Sequence, residues 1–281
     1  MVGRKAVLVT GAGTGIGKAI ALHLAAQGFT VFAAGRTLST LGALAQEGGE
    51  RIISVTMDVT DEASVAKGME TIASHLDGAS LFAVVNNAGI SVTGPIERVP
   101  DADWRAQFET NVFGVMNVTR AVLPQMRATG EGRIVNISSV TGRLAPPFMG
   151  VYAASKHAVE GLSDALRREV KQFGIKVSVI RPGFVNTGFG DQEQAGLEPY
   201  MKEGEPYRDS LEKFAKWHHD KGHKAAPPPH CVAVEVERAL TDASPRTRYT
   251  APKKNLWLIF ARNFLPAPLV DAVTARTTGI S

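Results

Sequence analysis

Tyr152 and Lys156 stand four residues apart in the run Gly150–Val151–Tyr152–Ala153–Ala154–Ser155–Lys156–His157. On a helix that spacing stacks a phenol and an ammonium on one face. A neighbouring ammonium favours the phenolate, so the spacing predicts that Tyr152 titrates below the usual value of about 10. A phenol tuned in this way exchanges a proton with an alcohol or a carbonyl oxygen. The pair alone also fits a solvated helix face, so its meaning depends on what the rest of the chain brings to it.

The elements that would do so are legible as short apolar runs. Lys5–Ala6–Val7–Leu8–Val9–Thr10 is rich in β-branched residues, the pattern of a parallel strand buried on both faces. Gly11–Ala12–Gly13–Thr14–Gly15–Ile16–Gly17 follows, and the chain to Gly28 has a helical apolar period through Ile16, Ile20 and Leu24. A glycine-rich turn between strand and helix lets backbone N–H groups approach a phosphate, and the helix N-terminus adds a favourable field. The common fingerprint G-x-G-x-x-G fails, because its third glycine falls on Ile16; the pattern is T-G-x-x-x-G-x-G. Leu81–Phe82–Ala83–Val84–Val85 reads as another buried strand, ending in Asn86–Asn87–Ala88–Gly89. Arg133–Ile134–Val135–Asn136–Ile137–Ser138–Ser139 reads as a strand that delivers two serines fourteen and thirteen residues ahead of Tyr152. Asn111 lies within a long helical stretch from Asp101 to about Ala128, and Val177–Ser178–Val179–Ile180 leads into Arg181–Pro182–Gly183–Phe184–Val185–Asn186–Thr187.

In their order and spacing from Lys5 to about Gly190, these motifs resemble the short-chain dehydrogenase/reductase family in its short form. The resemblance implies an α/β, doubly wound Rossmann fold with a central parallel sheet of about seven strands flanked by helices. It implies one domain over residues 1–281, with a helical substrate lid at about 188–229 and a C-terminal helical extension at about 251–281. By the same resemblance Asn111, Ser139, Tyr152 and Lys156 match a catalytic tetrad. Gly11, Thr14, Gly15, Ile16 and Gly17 would cradle a dinucleotide, Asn87, Ala88 and Gly89 would support the sheet beside it, and Pro182, Gly183, Val185 and Thr187 would meet its nicotinamide end. Tyr152 would exchange the proton of the substrate oxygen and Ser139 would donate a hydrogen bond to it. Lys156 would lower the Tyr152 pKa and hold the nicotinamide ribose, and Asn111 would hold a water joining Lys156 to solvent. The family offset selects Ser139 and leaves Ser138 structural or cofactor-facing.

The cofactor type is written at the end of the second strand, Thr30–Val31–Phe32–Ala33–Ala34, which Gly35–Arg36–Thr37 follows. NAD sites usually place Asp or Glu there, on the ribose 2′-hydroxyl. Here the position is Gly35, with no carboxylate to repel a 2′-phosphate, and Arg36 offers that phosphate a planar fork of donors. The expectation is NADP(H) preferred, with NAD(H) usable; Thr14 departs from those NADP enzymes of the family that carry a second basic residue at that place. Asp58 and Val59, after Ile52–Ile53–Ser54–Val55–Thr56–Met57, resemble an adenine-contacting pair, and Asp58 equally suits the N-cap of the next helix.

Composition narrows the class. At 281 residues and 44% hydrophobic, with no linker, repeat or charge block, one α/β domain is expected. Met1–Val2–Gly3–Arg4–Lys5 leads straight into the first strand without a signal-peptide pattern, and a single cysteine, Cys231, forms no internal disulfide; a cytoplasmic protein is expected. The net charge of +4 is concentrated from Arg246 onward, where six Lys/Arg stand against one Asp. The body is near neutral and has no basic stripe interleaved with aromatics, which argues against nucleic acid. His218, His219 and His223 have the spacing of metal ligands, but they fall on a polar segment and no metal is expected.

Residues 188–226 break the strand–helix alternation, where the family places its lid. Leu144, Phe148, Met149, Phe184 and Phe189 flank the catalytic region and would furnish an apolar substrate pocket beside Ser139 and Tyr152. A final strand in Pro245–Arg246–Thr247–Arg248–Tyr249–Thr250, then Leu256, Ile259, Phe260 and Phe264 at helical spacing and a helix around Leu269–Val273, resembles the C-terminal layout of the hydroxysteroid and retinol dehydrogenase branch. That basic amphipathic tail could rest on an anionic membrane surface, cap the pocket or meet another subunit. Two helices, Asp101–Ala128 and the Tyr152 helix with its apolar face of Ala153, Ala154, Ala158, Val159, Leu162 and Leu166, would pair copies into a homodimer or homotetramer.

Three readings remain. The first is an NADP(H)-dependent oxidoreductase interconverting a secondary alcohol and a ketone, or a retinol-type alcohol and an aldehyde, on a bulky steroid-like or retinoid-like substrate. The second is a 3-oxoacyl-thioester reductase, with Arg105, Arg127 or Arg143 forming a basic patch for the carrier. The third, a non-catalytic NADP(H)-binding sensor, sits poorly with a complete tetrad.

Overall fold

The inner strands of this chain bury side chains on both faces, so each must be covered twice. The structure, a computed structural model, describes residues 5–223, 225–278 and 280. Its strands are β1 (Ala6–Thr10), β2 (Thr30–Gly35), β3 (Ile52–Thr56), β4 (Leu81–Asn86), β5 (Gly132–Ile137), β6 (Ile175–Pro182) and β7 (Arg248–Ala251). They form one seven-stranded sheet in the order β3-β2-β1-β4-β5-β6-β7, with every pairing parallel. The order reverses between β1 and β4, the switch point where a doubly wound sheet opens a crevice at its strand ends.

Two cores follow from the period of two along each strand. Val7, Val9, Val31, Ala33, Val85 and Val135 point to one face, where Ile20 and Leu24 of α1 (Gly15–Ala26) meet Leu41 and Leu44 of α2 (Leu38–Gly48) and Val232 and Val236 of α9 (His230–Thr241). Leu8, Phe32, Val84, Ile134 and Val177 point to the other. There they meet Val65 and Ile72 of α3 (Glu62–Leu76), Val118, Val122 and Met126 of α5 (Gly114–Thr129) and Leu166 and Val170 of α6 (Gly150–Val170).

The helix expected from Asp101 to Ala128 is not continuous. It runs as α4 (Asp101–Phe108), a π turn over Glu109–Phe113, and α5. The wider turn lets Asn111 and Val112 both be buried on the inner side, as such insertions do at functional sites. Pro124 lies inside α5 without ending it.

Beyond β6 the chain leaves the sheet. Residues 189–223 form α7 (Phe189–Leu197), α8 (Arg208–Lys216) and a π turn Trp217–His223. Leu197, Leu211, Phe214 and Ala215 bury together with Met149 and Tyr152, so this segment has its own small core set directly over the Tyr152 end of α6. After β7 come α10 (Leu256–Phe264) and α11 (Ala267–Thr278). Of the tail's expected apolar face, the Phe260 side chain lies outside the described residues, while Leu256 and Phe264 are half to two-thirds exposed and Ile259 is buried. No helix among the described residues is long and apolar enough to cross a membrane.

The sheet edge is fastened electrostatically. Arg181 of β6 donates two hydrogen bonds of 2.7 Å to the Glu160 carboxylate of α6, both side chains being buried. Arg248 of β7 adds bonds to Glu160 at 3.1 Å and to Asp164 at 2.6 Å. Removing one member of such a cluster strands a buried guanidinium. Glu160→Ala is expected to lower the unfolding free energy by about 3–5 kcal/mol, measured by urea denaturation; a loss below about 1 kcal/mol would show that the cluster is hydrated and dispensable.

Candidate active site

Because all strands are parallel, their C-terminal ends share one edge, and the residues following β1, β2, β4, β5 and β6 converge there. They line a single cavity of about 1250 Å³ that also reaches α7, the Trp217 turn and the two tail helices.

The turn after β1 forms one end. Gly11 adopts φ +62°, and a β-carbon there would come within 2.8 Å of the Ala88 backbone. A β-carbon on Gly17 would collide with the Gly11 carbonyl. The approach is fixed by Asn87, whose amide donates to the carbonyls of Thr10 and Gly11 at 2.9 and 3.1 Å, and by Thr10 Oγ1, which accepts from the N–H groups of Asn87 and Ala88. Gly11, Thr14, Gly15, Ile16 and Gly17 all line the cavity where α1 begins. This cradle of small residues at a helix N-terminus fits the phosphates of a dinucleotide.

Arg36, exposed beyond β2, lines the same end, as do Asp58 and Val59. Asp58 is not the helix cap that its position also suggested. Asp61 caps α3 by accepting from Ala63 N, while Asp58 Oδ1 accepts from the backbone and hydroxyl of Thr60 at 3.0 and 2.8 Å.

Further along lie Asn87, Ala88, Gly89, Pro182, Gly183, Val185 and Thr187, and with them Ser139, Tyr152 and Lys156. Ser138 lines the cavity too, its hydroxyl buried without a protein partner among the described residues. Ser139 Oγ hydrogen-bonds to Tyr152, accepts from Thr141 N at 3.1 Å and lies 3.4 Å from the Pro182 carbonyl. Lys156 Nζ donates to the Ile137 carbonyl at 2.9 Å and sits 5.7 Å from the centre of the Tyr152 ring.

Two expectations are corrected here. Lys156 does not pull the Tyr152 phenol down. Burial holds the phenol well above its usual value, the nearby Glu193 carboxylate raises it further, and the Ser139 hydrogen bond offsets only part of this. Lys156 is itself buried, which drops its pKa to about 8, and its ammonium is turned towards Ile137. Asn111, in turn, does not line the cavity. Its side chain is spent on the neighbouring loop, accepting from Ile90 N at 2.9 Å and donating to Ile90 O at 3.0 Å and Ser155 Oγ at 3.2 Å. It clamps the loop after β4 against α6.

The substrate end is aromatic. Leu144, Met149, Phe184 and Phe189 line it, and the Phe189 ring lies 6.1 Å from that of Tyr152. Phe148 does not: at φ +61° its ring turns away to contact Tyr207 and Phe214, bracing the lid. His218 is stacked on Phe214 and faces Glu193, while His219 lies beside it in sequence and the His223 side chain lies outside the described residues; no group of three metal-ligating side chains assembles among the described residues.

Several wall residues went unread in the sequence: Glu193 and Trp217 of the lid, and Trp257, Arg262, Leu265, Val270 and Val273 of the tail. The signal for Glu193 was its place one helical turn beyond Phe189, which puts both on one face of α7.

Comparison with known proteins agrees with this geometry. The family model described as short chain dehydrogenase matches residues 5–198. The chain belongs to the short-chain dehydrogenase family. It is 34% identical to human 17-beta-hydroxysteroid dehydrogenase type 6 over 97% of this chain and 88% of that one, and 36% identical to human retinol dehydrogenase 16 over 96% and 87%. It is 33% identical to an NADPH-dependent 3-dehydrocapnine reductase of Ornithobacterium rhinotracheale over 95% and 94%. Among solved structures, a short-chain dehydrogenase/reductase from Burkholderia phymatum in complex with NAD superposes with a TM-score of 0.79 at 29% identity, over 92% and 93% of the two chains. Actinorhodin polyketide ketoreductase with NADPH gives 0.75 at 29%, over 88% and 95%. As a short-chain dehydrogenase, the protein is an oxidoreductase of the hydroxyl–carbonyl couple that uses a nicotinamide dinucleotide.

The buried lysine gives a test. Its pKa in the fold is about 8, below the 10.5 of an exposed lysine, so the unfolded chain holds the proton more tightly. The penalty is complete below pH 8 and fades as pH rises from about 8 to 10.5. Relative to Lys156→Met, the wild type should therefore gain about 2–3 kcal/mol of stability between pH 7 and pH 10. Denaturant unfolding of both proteins at the two pH values checks it; a constant difference would mean that Lys156 titrates normally.

Proposed function

We propose that this protein is an NADP(H)-dependent oxidoreductase that interconverts a secondary alcohol and a ketone, or a retinol-type alcohol and an aldehyde, on a bulky apolar substrate. The observation that carries the reading is that Ser139, Tyr152 and Lys156 line a cavity whose phosphate cradle lies at one end and whose aromatic wall lies at the other. When bound, the nicotinamide supplies or accepts the hydride.

The geometry supports the following roles. A phenol held protonated by burial is a proton donor, so Tyr152 gives its proton to the substrate oxygen as that oxygen gains charge in reduction. Ser139, already bonded to Tyr152, reaches the same oxygen with its hydroxyl. Lys156, with a pKa of about 8, gains and loses a proton near neutrality, is held by the Ile137 carbonyl, and would meet the nicotinamide ribose. Asn111 keeps Ile90 in register with these groups.

Cofactor preference rests on Arg36, which lines the cavity where Gly35 leaves no carboxylate. Substrate size rests on the apolar lid and on the names of the hydroxysteroid and retinol dehydrogenase relatives. On the tail, whose Trp257, Arg262 and Val273 line the cavity, Leu256, Trp257, Phe264, Leu269 and Val273 are each about half exposed or more, in the same stretch as Lys253, Lys254 and Arg262. A basic, apolar rim of this kind supports entry of an apolar substrate from an anionic lipid surface. Exposed Phe113 and Leu162 support pairing of copies through the helices around the π turn and α6.

Two variants test the reading. Tyr152→Phe is expected to lower turnover by about 10²–10⁴-fold while leaving NADPH affinity within about threefold, measured by NADPH consumption and by fluorescence titration; retained turnover would remove Tyr152 from the chemistry. Arg36→Ala should raise the KM for NADPH about 10–100-fold and that for NADH much less. An equal effect on both cofactors would overturn the NADP(H) preference. A substrate panel of steroid ketones, retinal and 3-oxoacyl thioesters reads the remaining choice, and activity on the thioesters alone would replace the apolar-ketone reading.

A further inference from the structure

α4 buries one residue, and it is polar: Gln107, whose side chain is wholly enclosed. An apolar side chain would fill that place without needing partners, so the amide is explained by what it binds. Its Oε1 accepts from Val92 N at 2.6 Å, and its Nε2 donates to Ile90 O at 2.8 Å and lies 3.4 Å from Ser155 Oγ. Asn111, one turn on, already holds both backbone groups of Ile90 and reaches the same Ser155 hydroxyl. Ser155 Oγ in turn donates to the Tyr152 backbone carbonyl at 2.7 Å. What Gln107 adds is a grip on Val92, farther along the loop.

That loop has no ladder of its own. Residues 87–93, after β4, lie in neither strand nor helix, so their backbone groups must find partners elsewhere. A carboxamide carries an acceptor and a donor side by side, which a loop N–H and a loop carbonyl require together. The side chains of the same loop reach the lid. Ser91 Oγ donates to Glu193 Oε1 at 2.8 Å, and Thr93 Oγ1 donates to the Glu193 backbone carbonyl at 2.9 Å. α7 lies so close here that a β-carbon on Gly196 would come within 2.6 Å of Thr93 Oγ1. The same helix carries Phe189, whose ring is 6.1 Å from that of Tyr152, and Leu197, which is buried with Tyr152 in the core of the lid. Ile90 and Val92 are thus gripped by their backbones, while Ser91 and Thr93 grip α7.

Building on the reading of this cavity as a reductase site, we propose that Gln107 is a positioning residue for its substrate end. By holding Ile90 and Val92 it fixes Ser91 and Thr93, and through them the placement of α7 and Phe189 over Tyr152. Gln107 itself does not line the cavity. Its removal strands the Val92 N–H and lets Ser91 and Thr93 shift, so the lid loosens and substrate is held less well. The dinucleotide end, built on β1 and α1, keeps its own contacts.

The test uses the full chain as wild type, Gln107→Met, Ser91→Ala and the double variant. The assay takes NADPH and whichever of the steroid ketones, retinal and 3-oxoacyl thioesters the wild type reduces best. Gln107→Met and Ser91→Ala should each raise the KM for that compound about tenfold, with kcat lowered less than about threefold and the KM for NADPH within about twofold. Because both act on one route, the double variant should fall no more than about twofold below the poorer single variant in kcat/KM. Gln107→Glu keeps the acceptor for Val92 and loses the donor to Ile90; it should show the same pattern, and it stands in if Gln107→Met does not fold. Hydrogen exchange reads the placement of α7 directly. Amides of residues 189–197 should exchange about tenfold faster in Gln107→Met and in Ser91→Ala, and those of α1 at the wild-type rate. Unchanged kinetics in Gln107→Met, losses that multiply in the double variant, an equal rise in both KM values, or faster exchange confined to residues 87–113 overturns the proposal and leaves the reductase reading intact. If no compound of the panel is reduced, the reductase reading fails, and exchange alone decides whether Gln107 places the lid. Faster exchange at 189–197 in Gln107→Met then supports it, and unchanged exchange there overturns it.

Discussion

All six strand pairings run parallel, and that single constraint settles where the chemistry can be. A parallel sheet sends every strand's carboxyl end to the same edge, so the loops after β1, β2, β4, β5 and β6 are neighbours in space although they are far apart in sequence. Both faces of the sheet are spent on cores, which leaves the edge as the only place where a large ligand can reach the strand ends. The glycine turn and Ser139 are each placed by the strand before them, and the Tyr152–Lys156 pair by α6, whose Glu160 is tied to Arg181 of β6 and Arg248 of β7. Reaction geometry here is a consequence of sheet registry.

Within that frame desolvation governs the electrostatics. Spacing on a helix makes Lys156 and Tyr152 neighbours, and in water the charge of one would act on the other. In the fold both are buried, and the penalty on each charged form exceeds their mutual attraction. Lys156 answers by donating to the Ile137 carbonyl, and Tyr152 by sharing a hydrogen bond with Ser139. The outcome is a protonated phenol beside an amine poised near neutrality, a donor with a nearby proton source.

This contrast explains what could be read from residues alone. Runs such as Ala6–Thr10 and Leu81–Asn86 declare themselves, since a doubly buried strand must be apolar throughout. The glycine turn is equally plain, because Gly11 and Gly17 answer to backbone contacts that exclude any side chain. Asn111 was legible as a position but not in its use: the π turn that sets its side chain on Ile90 leaves no trace in the apolar period. The direction of the Tyr152 shift was illegible for a different reason. Burial comes from the lid, whose Leu211 and Phe214 lie about sixty residues from Tyr152 in sequence and pack with Met149 over it. Phe148 and Glu193 show the same limit, for which side faces the cavity depends on a positive φ in one case and a lid helix docking in the other.

The two halves of the cavity are therefore held by different forces. The half that carries Ser139, Tyr152 and Lys156 belongs to the sheet edge and to α6, bound by backbone pairing and a buried ion cluster. The other half is lid and tail, held by aromatic contacts such as Phe148–Phe214 and Phe184–Trp217 and by the small core around Leu211. Loops and appended helices can change size and polarity without disturbing strand registry, which is how one scaffold serves many substrates. A division of labour follows: the strand ends and α6 fix the groups that line the reacting end, and the lid and tail bound the space beside them.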